Sequence, residues 1–256
     1  MSRVASMRQS MRLEQLRAEV RAIAAGGKDP AAALPFGLEA LDGRIAGGGL
    51  ADAGLHEAAG ASCGYSDDAA ATLFLAGIAG RRAGERGTVL WVVSRRDLFA
   101  PGLALAGLPP ERLLIAEAGR DEDVLAVMEE GLRHGALAAV VGEVGRAGLT
   151  ETRRLQLAAE EGGTMALMLR RWRKADPLAE PSTAITRWRI GPAPSVPLPT
   201  AGVGPPCWTI ELARQRGGPG FSLITEACDA QGRLALPALS PHRPDQADGG
   251  EWRRAA

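Results

Sequence analysis

One short glycine-containing segment has the position and part of the composition of a phosphate-binding loop. It reads Gly-Ala-Ser-Cys-Gly-Tyr-Ser-Asp-Asp from Gly60 to Asp68, between an apolar run and a helical one. Such loops need a lysine for the terminal phosphates and a Ser or Thr for magnesium. The lysine is absent here, and Asp67 and Asp68 would repel a polyphosphate. We therefore predict a vestigial phosphate loop without a cofactor, with its remnants at Gly60, Ser62, Gly64 and Ser66.

Glu143 is the candidate metal ligand of the same site. A magnesium-holding Asp would follow the apolar run that ends at Val140 and Val141, but the next residues are Gly142 and Glu143. We predict a vestigial metal position and no bound metal. The alternative is a residual NTPase in which Glu143 holds the metal and Arg214 and Arg216 clamp the phosphates.

Two segments, Arg170–Lys174 and Arg187–Arg189, interleave arginine with tryptophan. Such clusters suit nucleic acid, because arginine contacts phosphates and the indole stacks on bases. Asp176 and Glu180 between the segments weaken this interpretation, and alternation along a strand would put Arg187 and Arg189 on the face opposite Trp188. DNA contact, partner contact and a structural role remain open. The candidate contact residues are Arg170, Arg171, Trp172, Arg173, Arg187 and Arg189, together with Arg214 and Arg216 further along the chain.

Composition excludes several classes of protein. The chain has 30 basic and 30 acidic residues, so no overall field draws it to nucleic acid. Three cysteines without CxxC spacing indicate neither a zinc site nor a disulfide framework, and the three histidines form no ligand spacing. The longest apolar run is too short to cross a bilayer, and arginines interrupt the N-terminal region. We expect a cytoplasmic protein without a membrane partner.

The elements that would position these residues alternate between strand and helix from Leu34 to Arg173. The predicted strands include the continuous apolar run Thr88–Val93, and the predicted helices include Asp67–Arg82, with acidic residues at its start and arginines at its end. Strict alternation indicates an α/β fold with a mostly parallel sheet covered on both faces by helices. We take residues 28–230 as this core.

Both ends of the chain differ from the core. Residues 1–27 predict an amphipathic helix, which either packs on its own domain or docks on a partner. Its apolar positions are Met7, Met11, Leu13, Leu16, Val20 and Ile23. After Ile190 a proline-rich stretch predicts the end of a strand, and Cys207–Leu212 with Phe221–Ala227 predicts a C-terminal β-hairpin. Residues 231–256 have the composition of a disordered tail.

Longer phrases resemble the RecA core between about residues 34 and 230. Leu34-Pro-Phe-Gly-Leu-Glu-Ala-Leu-Asp42 and Gly47-Gly-Gly-Leu50 are similar to its opening. By this resemblance Arg95 stands where the family has a catalytic Glu, and Arg171 where it has a Gln that senses the γ-phosphate. Ala213-Arg-Gln-Arg216 looks like the basic hairpin that touches ATP across a subunit boundary. The resemblance implies a RecA-like core in which every catalytic position has changed, hence no enzyme.

A more specific resemblance is to alphaproteobacterial ImuA sequences. It rests on LWVVSRRDLFAPGLALAGL, EAGRDEDVLAVMEEGLRHG, VVGEVGRAGLTETRRLQLAAE, LRRWRK and LAEPSTAITRWRI. Membership of the ImuA family implies an accessory role in damage-induced (SOS) mutagenesis and translesion DNA synthesis. The implied partners are an ImuB-like polymerase-related scaffold and an error-prone replicative-type polymerase, with RecA and DNA as further candidates, at the nucleoid during damage. The division inhibitor SulA is a more distant relative. The alternatives are a residual NTPase and a RecA-modulating DNA-binding module.

Overall fold

The protein is described from a computed structural model over residues 32–172, 175–198 and 202–238. The predicted N-terminal helix with its six apolar positions, the predicted contact residue Arg173 and the chain after residue 238 lie outside the described residues. No helix among the described residues is long and apolar enough to span a membrane.

The described chain forms one large sheet and a small one. The small sheet pairs β1 (Ala33–Leu34) with β2 (Leu50–Ala51) in antiparallel fashion, around the short helix α1 (Glu39–Asp42). The large sheet has the strand order β10-β9-β8-β3-β7-β6-β4-β5. Its strands are β3 (Leu55–Gly60), β4 (Val89–Val93), β5 (Leu113–Glu117), β6 (Ala139–Val144), β7 (Met165–Arg170), β8 (Thr186–Ala193), β9 (Cys207–Gln215) and β10 (Phe221–Glu226).

Helices cover both faces of this sheet. On one face, α2 (Tyr65–Ala83) and the short α3 (Ala100–Leu105) bury Phe74 and Leu103 in the core cluster that contains Trp91. On the other face, α4 (Asp121–His134) and α5 (Leu149–Gly162) bury Met128 and Leu155 in a second cluster with Val92 and Val140. Six neighbouring strands, β3 to β8, run parallel, and β9 and β10 are antiparallel. The predicted α/β class with a mostly parallel sheet flanked by helices is confirmed.

The central strands follow from their composition. In β4 the sequence Val-Leu-Trp-Val-Val has no polar residue, because both of its faces pack against helices. Trp91 is fully buried, as expected for a central strand. α4 begins with three acidic residues and ends with Arg133 and His134, which complements the helix dipole, and Gly135 closes it with a left-handed φ of 72°.

Two strand boundaries differ from the prediction because tertiary contacts support polar residues and proline inside strands. β6 continues to Val144, so Glu143 lies within the strand and pairs in register with Leu169 of β7. β8 continues through Pro192 to Ala193, opposite Trp208 and Cys207 of β9. Beyond Ile190, where its pairing with β3 ends, β8 pairs only with β9, and a residue without an N–H is tolerated there.

The C-terminal hairpin is confirmed, and the packed core extends past the predicted boundary at residue 230. β9 and β10 pair in antiparallel fashion from Leu212 with Phe221 to Cys207 with Glu226. The chain then turns at Asp229, whose Oδ1 accepts from the backbone of Gln231 and Arg233, and Leu234 is buried in the same cluster as Trp91. Residues 231–238 therefore do not form a disordered tail, because Leu234 anchors them.

Candidate functional site

The glycine-rich segment occupies the place expected of a phosphate loop, between β3 and α2 at the carboxyl edge of the parallel strands. Its polar groups bind one another. The Ser62 hydroxyl donates to Asp67 and accepts from the Gly64 N–H at 3.1 Å. A Cβ added at Gly60 would lie 2.9 Å from the carbonyl carbon of Asp67, so the loop is folded tightly onto the start of α2. A backbone donor and a hydroxyl expected to face a phosphate are thus engaged within the loop.

Arg171 occupies the centre of this edge of the sheet. It follows β7, and its guanidinium donates to Asp68 at the start of α2. Its Nη2 and Nε also donate to Oε2 of Glu143 on β6, at 2.8 and 3.2 Å. Burial of the guanidinium opposes its charge, but the carboxylates of Glu143 and Asp68 outweigh this effect and raise the pKa of Arg171.

Glu143 has no free oxygen for a metal in this arrangement. The side chain is fully buried, Oε2 accepts from Arg171, and Oε1 accepts from Nε1 of Trp91 at 2.8 Å. A metal ligand in that position would need to give up a charged hydrogen bond and an indole donor. Within the described ranges, no group of three or more His, Cys, Asp or Glu side chains has the arrangement of a metal site.

Trp172 is bound to the first residue of the loop. Its Nε1 donates to the carbonyl of Gly60 at 2.9 Å, so the indole is bound to the loop. On the side of β8, a Cβ added at Gly191 would lie 2.7 Å from Oδ1 of Asp67. Trp172 and Arg171, predicted as DNA or partner contacts, are here parts of the closed loop site, because both follow β7 at its carboxyl end.

Arg170 and Arg187, two further predicted contact residues, lie inside the fold. Both are buried, and both bind the buried carboxylate of Glu57 in the middle strand β3, at 3.4 Å for Nη1 of Arg170 and 2.7 Å for Nε of Arg187. The hydroxyl of Ser182 donates to the same carboxylate at 2.7 Å. A charge inside a sheet needs such partners, so Glu57 determines where the two arginines point.

The predicted contact arginines instead hold the segment of residues 176–183 against the sheet. Arg170 pairs with Glu180 at 2.6 Å and Arg189 with Asp176 at 2.5 Å. Three others donate to backbone carbonyls of the segment. These bonds join Arg187 to Leu178 at 3.0 Å, Arg214 to Ser182 at 2.7 Å, and Arg216 to Thr183 at 3.1 Å. Of these five, Arg214 and Arg216 are exposed and Arg189 is half-buried, whereas Arg170 and Arg187 are buried.

The sequence does not predict the roles of two buried polar residues in this region. Their only indication is their position in an apolar run. Glu57 and His56 are neighbours in β3. Nε2 of His56 donates to the carbonyl of Ala51 at 3.0 Å, and Nδ1 accepts from the hydroxyl of Thr186 at 2.8 Å. Burial lowers the pKa of His56 to about 4, although the bond to Ala51 acts in the opposite direction. His56 is thus a satisfied core residue.

Comparison with named proteins shows which family this chain belongs to. No family model matches the chain. Proteins named ImuA from two strains of Caulobacter vibrioides, NA1000 and CB15, are each 39% identical over 217 residues, which cover 80% of this chain and 88% of the relative. The chain belongs to the ImuA family. The family that the sequence phrases indicated is thereby confirmed. A solved structure of SulA from Pseudomonas aeruginosa is 26% identical, with a TM-score of 0.38, over 45% of this chain and 96% of SulA.

Proposed function

We propose that this ImuA-family protein is a non-catalytic accessory protein of damage-induced mutagenesis and translesion DNA synthesis, and that its nucleotide site is closed. The observation that carries the proposal is the position of the Arg171 guanidinium between Asp68 and Glu143. The guanidinium therefore occupies the space in which a nucleotide-hydrolysing enzyme would hold phosphates and a metal.

Entry of ATP would be costly in this arrangement. The triphosphate would approach Asp67 without a loop lysine to offset its charge, and Arg171 is already paired with Asp68 and Glu143. Repulsion between two like charges 4 Å apart is about 4 kcal/mol at an effective dielectric constant of 20. Freeing Glu143 for magnesium would in addition leave a buried carboxylate without its ion pair. These terms favour an accessory protein over a residual NTPase.

Membership of the family supports action through partners. The proposed partners are an ImuB-like polymerase-related scaffold and an error-prone replicative-type polymerase, with RecA and DNA as additional candidates. Among the predicted contact residues, Arg214 and Arg216 on β9 and its turn are exposed and remain candidates for these contacts. Because most of the other arginines are engaged internally, we place direct DNA contact second to protein partners.

Titration of ATP and magnesium into the full-length protein tests the closed site. We expect no binding tighter than about 1 mM, which corresponds to about 4 kcal/mol. The matched variant Asp67→Ser with Asp68→Ser removes the repelling charges and should remain unable to hydrolyse ATP. Micromolar binding of ATP by the natural protein, or magnesium-dependent hydrolysis abolished by Glu143→Gln, would favour the residual NTPase and overturn the proposal.

A further inference from the structure

A groove of about 830 Å³ lies far from the loop site, at the opposite end of α2. Its walls come from four stretches of chain, namely residues 34–37, the end of α2 with residues 84–85, the turn at 107–112, and residues 230–234. Neither the closed loop site nor the arginines of residues 170–216 contribute to it. It is thus a separate concave surface.

Small residues make the groove deep and leave its floor apolar. A Cβ added at Gly80 of α2 would clash with the Gly107 carbonyl oxygen, so the turn at 107–112 packs directly on the helix. At Gly37 and Gly84 an added Cβ would meet no atom within 4 Å, so the groove is open there. Leu34, Pro35 and Pro109 line the groove and are half-buried or exposed, so they supply its apolar surface, whereas Phe36 and Leu234 are buried.

Charge in the groove is predominantly positive. Arg81, Arg112 and Arg233 line it, and Glu85 is the one acidic residue among the described lining residues. Arg81 lies over the ring of Phe36, with 5.6 Å between the guanidinium carbon and the ring centroid, and donates to the carbonyl of Pro35. Burial lowers the pKa of the Arg81 guanidinium, although the nearby carboxylates of Asp42 and Asp229 act in the opposite direction.

We propose that this groove binds an acidic, partly apolar segment of a partner protein. Carboxylates of the segment would pair with the guanidinium forks of Arg81, Arg112 and Arg233, which suit bidentate binding of carboxylates. Apolar side chains of the segment would contact Leu34, Pro35 and Pro109. An extended segment suits a surface groove that combines apolar and basic lining residues.

The chain's own ends do not supply such a segment. Residues 1–31 contain six basic and three acidic residues, so their net charge has the same sign as that of the groove. Residues 239–256 contain three Arg and three acidic residues, so they carry no excess of negative charge. Charge complementarity therefore selects another protein as the occupant.

Fluorescence anisotropy with the full-length protein tests this proposal. The probe is a labelled peptide of leucine and glutamate. The control is the same peptide with glutamine in place of each glutamate. We expect the acidic peptide to bind about tenfold more tightly, with an affinity that falls as salt rises. Arg112→Glu with Arg233→Glu should weaken binding about tenfold or more. Arg146→Glu with Arg153→Glu, exposed and equal in net charge, should not.

A second measurement keeps the proposal testable if the first variant fails to fold. The natural protein is photo-crosslinked to the acidic peptide, and we expect adducts on residues 34–37 and 230–234. Equal weakening by both charge-reversal variants, equal binding of the two peptides, or adducts elsewhere would overturn the proposal. Tighter probe binding after deletion of residues 1–31 or 239–256 would also overturn it, because the occupant would then be the chain itself. A change of oligomeric state in Arg112→Glu with Arg233→Glu would overturn it as well, because the occupant would then be a second copy.

Discussion

Three buried polar residues, Arg171, Glu57 and His56, make the contacts that are most characteristic of this protein. Arg171 bridges Asp68 and Glu143 and thereby fills the loop site. Glu57 gathers Arg170 and Arg187. His56 contributes no charge, because both of its ring nitrogens are bound and the ring is fully buried. The buried ion pairs make stability depend on single substitutions, and the buried imidazole of His56 makes it depend on pH.

We expect His56 to make the free energy of unfolding depend on pH between about 6.5 and 4. Burial lowers the pKa of His56 from 6.5 to about 4, so the unfolded chain binds its proton first as the pH falls. Stability is therefore complete above about pH 6.5 and is lost toward pH 4, by up to about 3 kcal/mol. Urea unfolding of the natural protein and of His56→Asn at several pH values measures this difference.

The exposed His134 provides the control. His134→Asn should keep the full pH dependence, whereas His56→Asn should lose its share. An identical slope in the natural protein and His56→Asn would show that the imidazole is already charged, or exposed, in the folded state.

Among the elements, the segment of residues 176–183 is held more firmly than its sequence indicates. The arginine–tryptophan segments on either side of it are the candidates for DNA or partner contact, and its own Asp176 and Glu180 weaken the DNA interpretation. Instead, β7, β8, β9 and the following turn all contribute arginines that bind it. The side chains on neighbouring strands point to the same face of the sheet at equivalent registers, so they converge on one segment. A clamped loop of this kind has a structural role first.

Arg170→Ala is therefore expected to destabilise the fold and not only to weaken binding. The substitution leaves Glu57 and Glu180 without this cation, and loss of one partner of a buried ion pair costs about 3–5 kcal/mol. Arg214→Ala with Arg216→Ala removes exposed groups and should cost about 1 kcal/mol. Denaturant unfolding compares the variants, and limited proteolysis reports release of residues 176–183. Equal stability of Arg170→Ala and the natural protein would restore Arg170 as a contact residue.

At the scale of the whole described chain, two apolar clusters lie on the two faces of one sheet. Their buried residues come from the chain between Phe36 and Leu234. The C-terminal residues up to Leu234 close the first cluster, beside the groove proposed for an acidic partner segment. A core of this kind can present surfaces to partners without nucleotide-driven movement, which fits an accessory protein.

We predict that deletion of residues 1–27 leaves a folded core and weakens association with an ImuB-like partner. The predicted apolar stripe of this segment would bind a groove of the partner as an amphipathic helix does. Circular dichroism and co-purification measure the two effects separately. Aggregation of the truncated chain would show that the segment belongs to the core, and full-strength capture of the partner by a folded truncated chain would place the docking surface elsewhere, first at Arg214 and Arg216.

The sequence by itself determined the order of strands and helices, the parallel class of the sheet and the family. Runs such as Val-Leu-Trp-Val-Val and the dipole-matched ends of the helices are local signals, which can be recognised without knowledge of the tertiary contacts. It also showed that the loop lacks its lysine. Only the tertiary structure decided what the arginines bind, because Arg171 and Asp68 are 103 positions apart and Arg170 and Glu57 are 113 apart. Spacing along the chain does not reveal such pairs. They form because the fold buries each arginine beside a carboxylate that needs a cation.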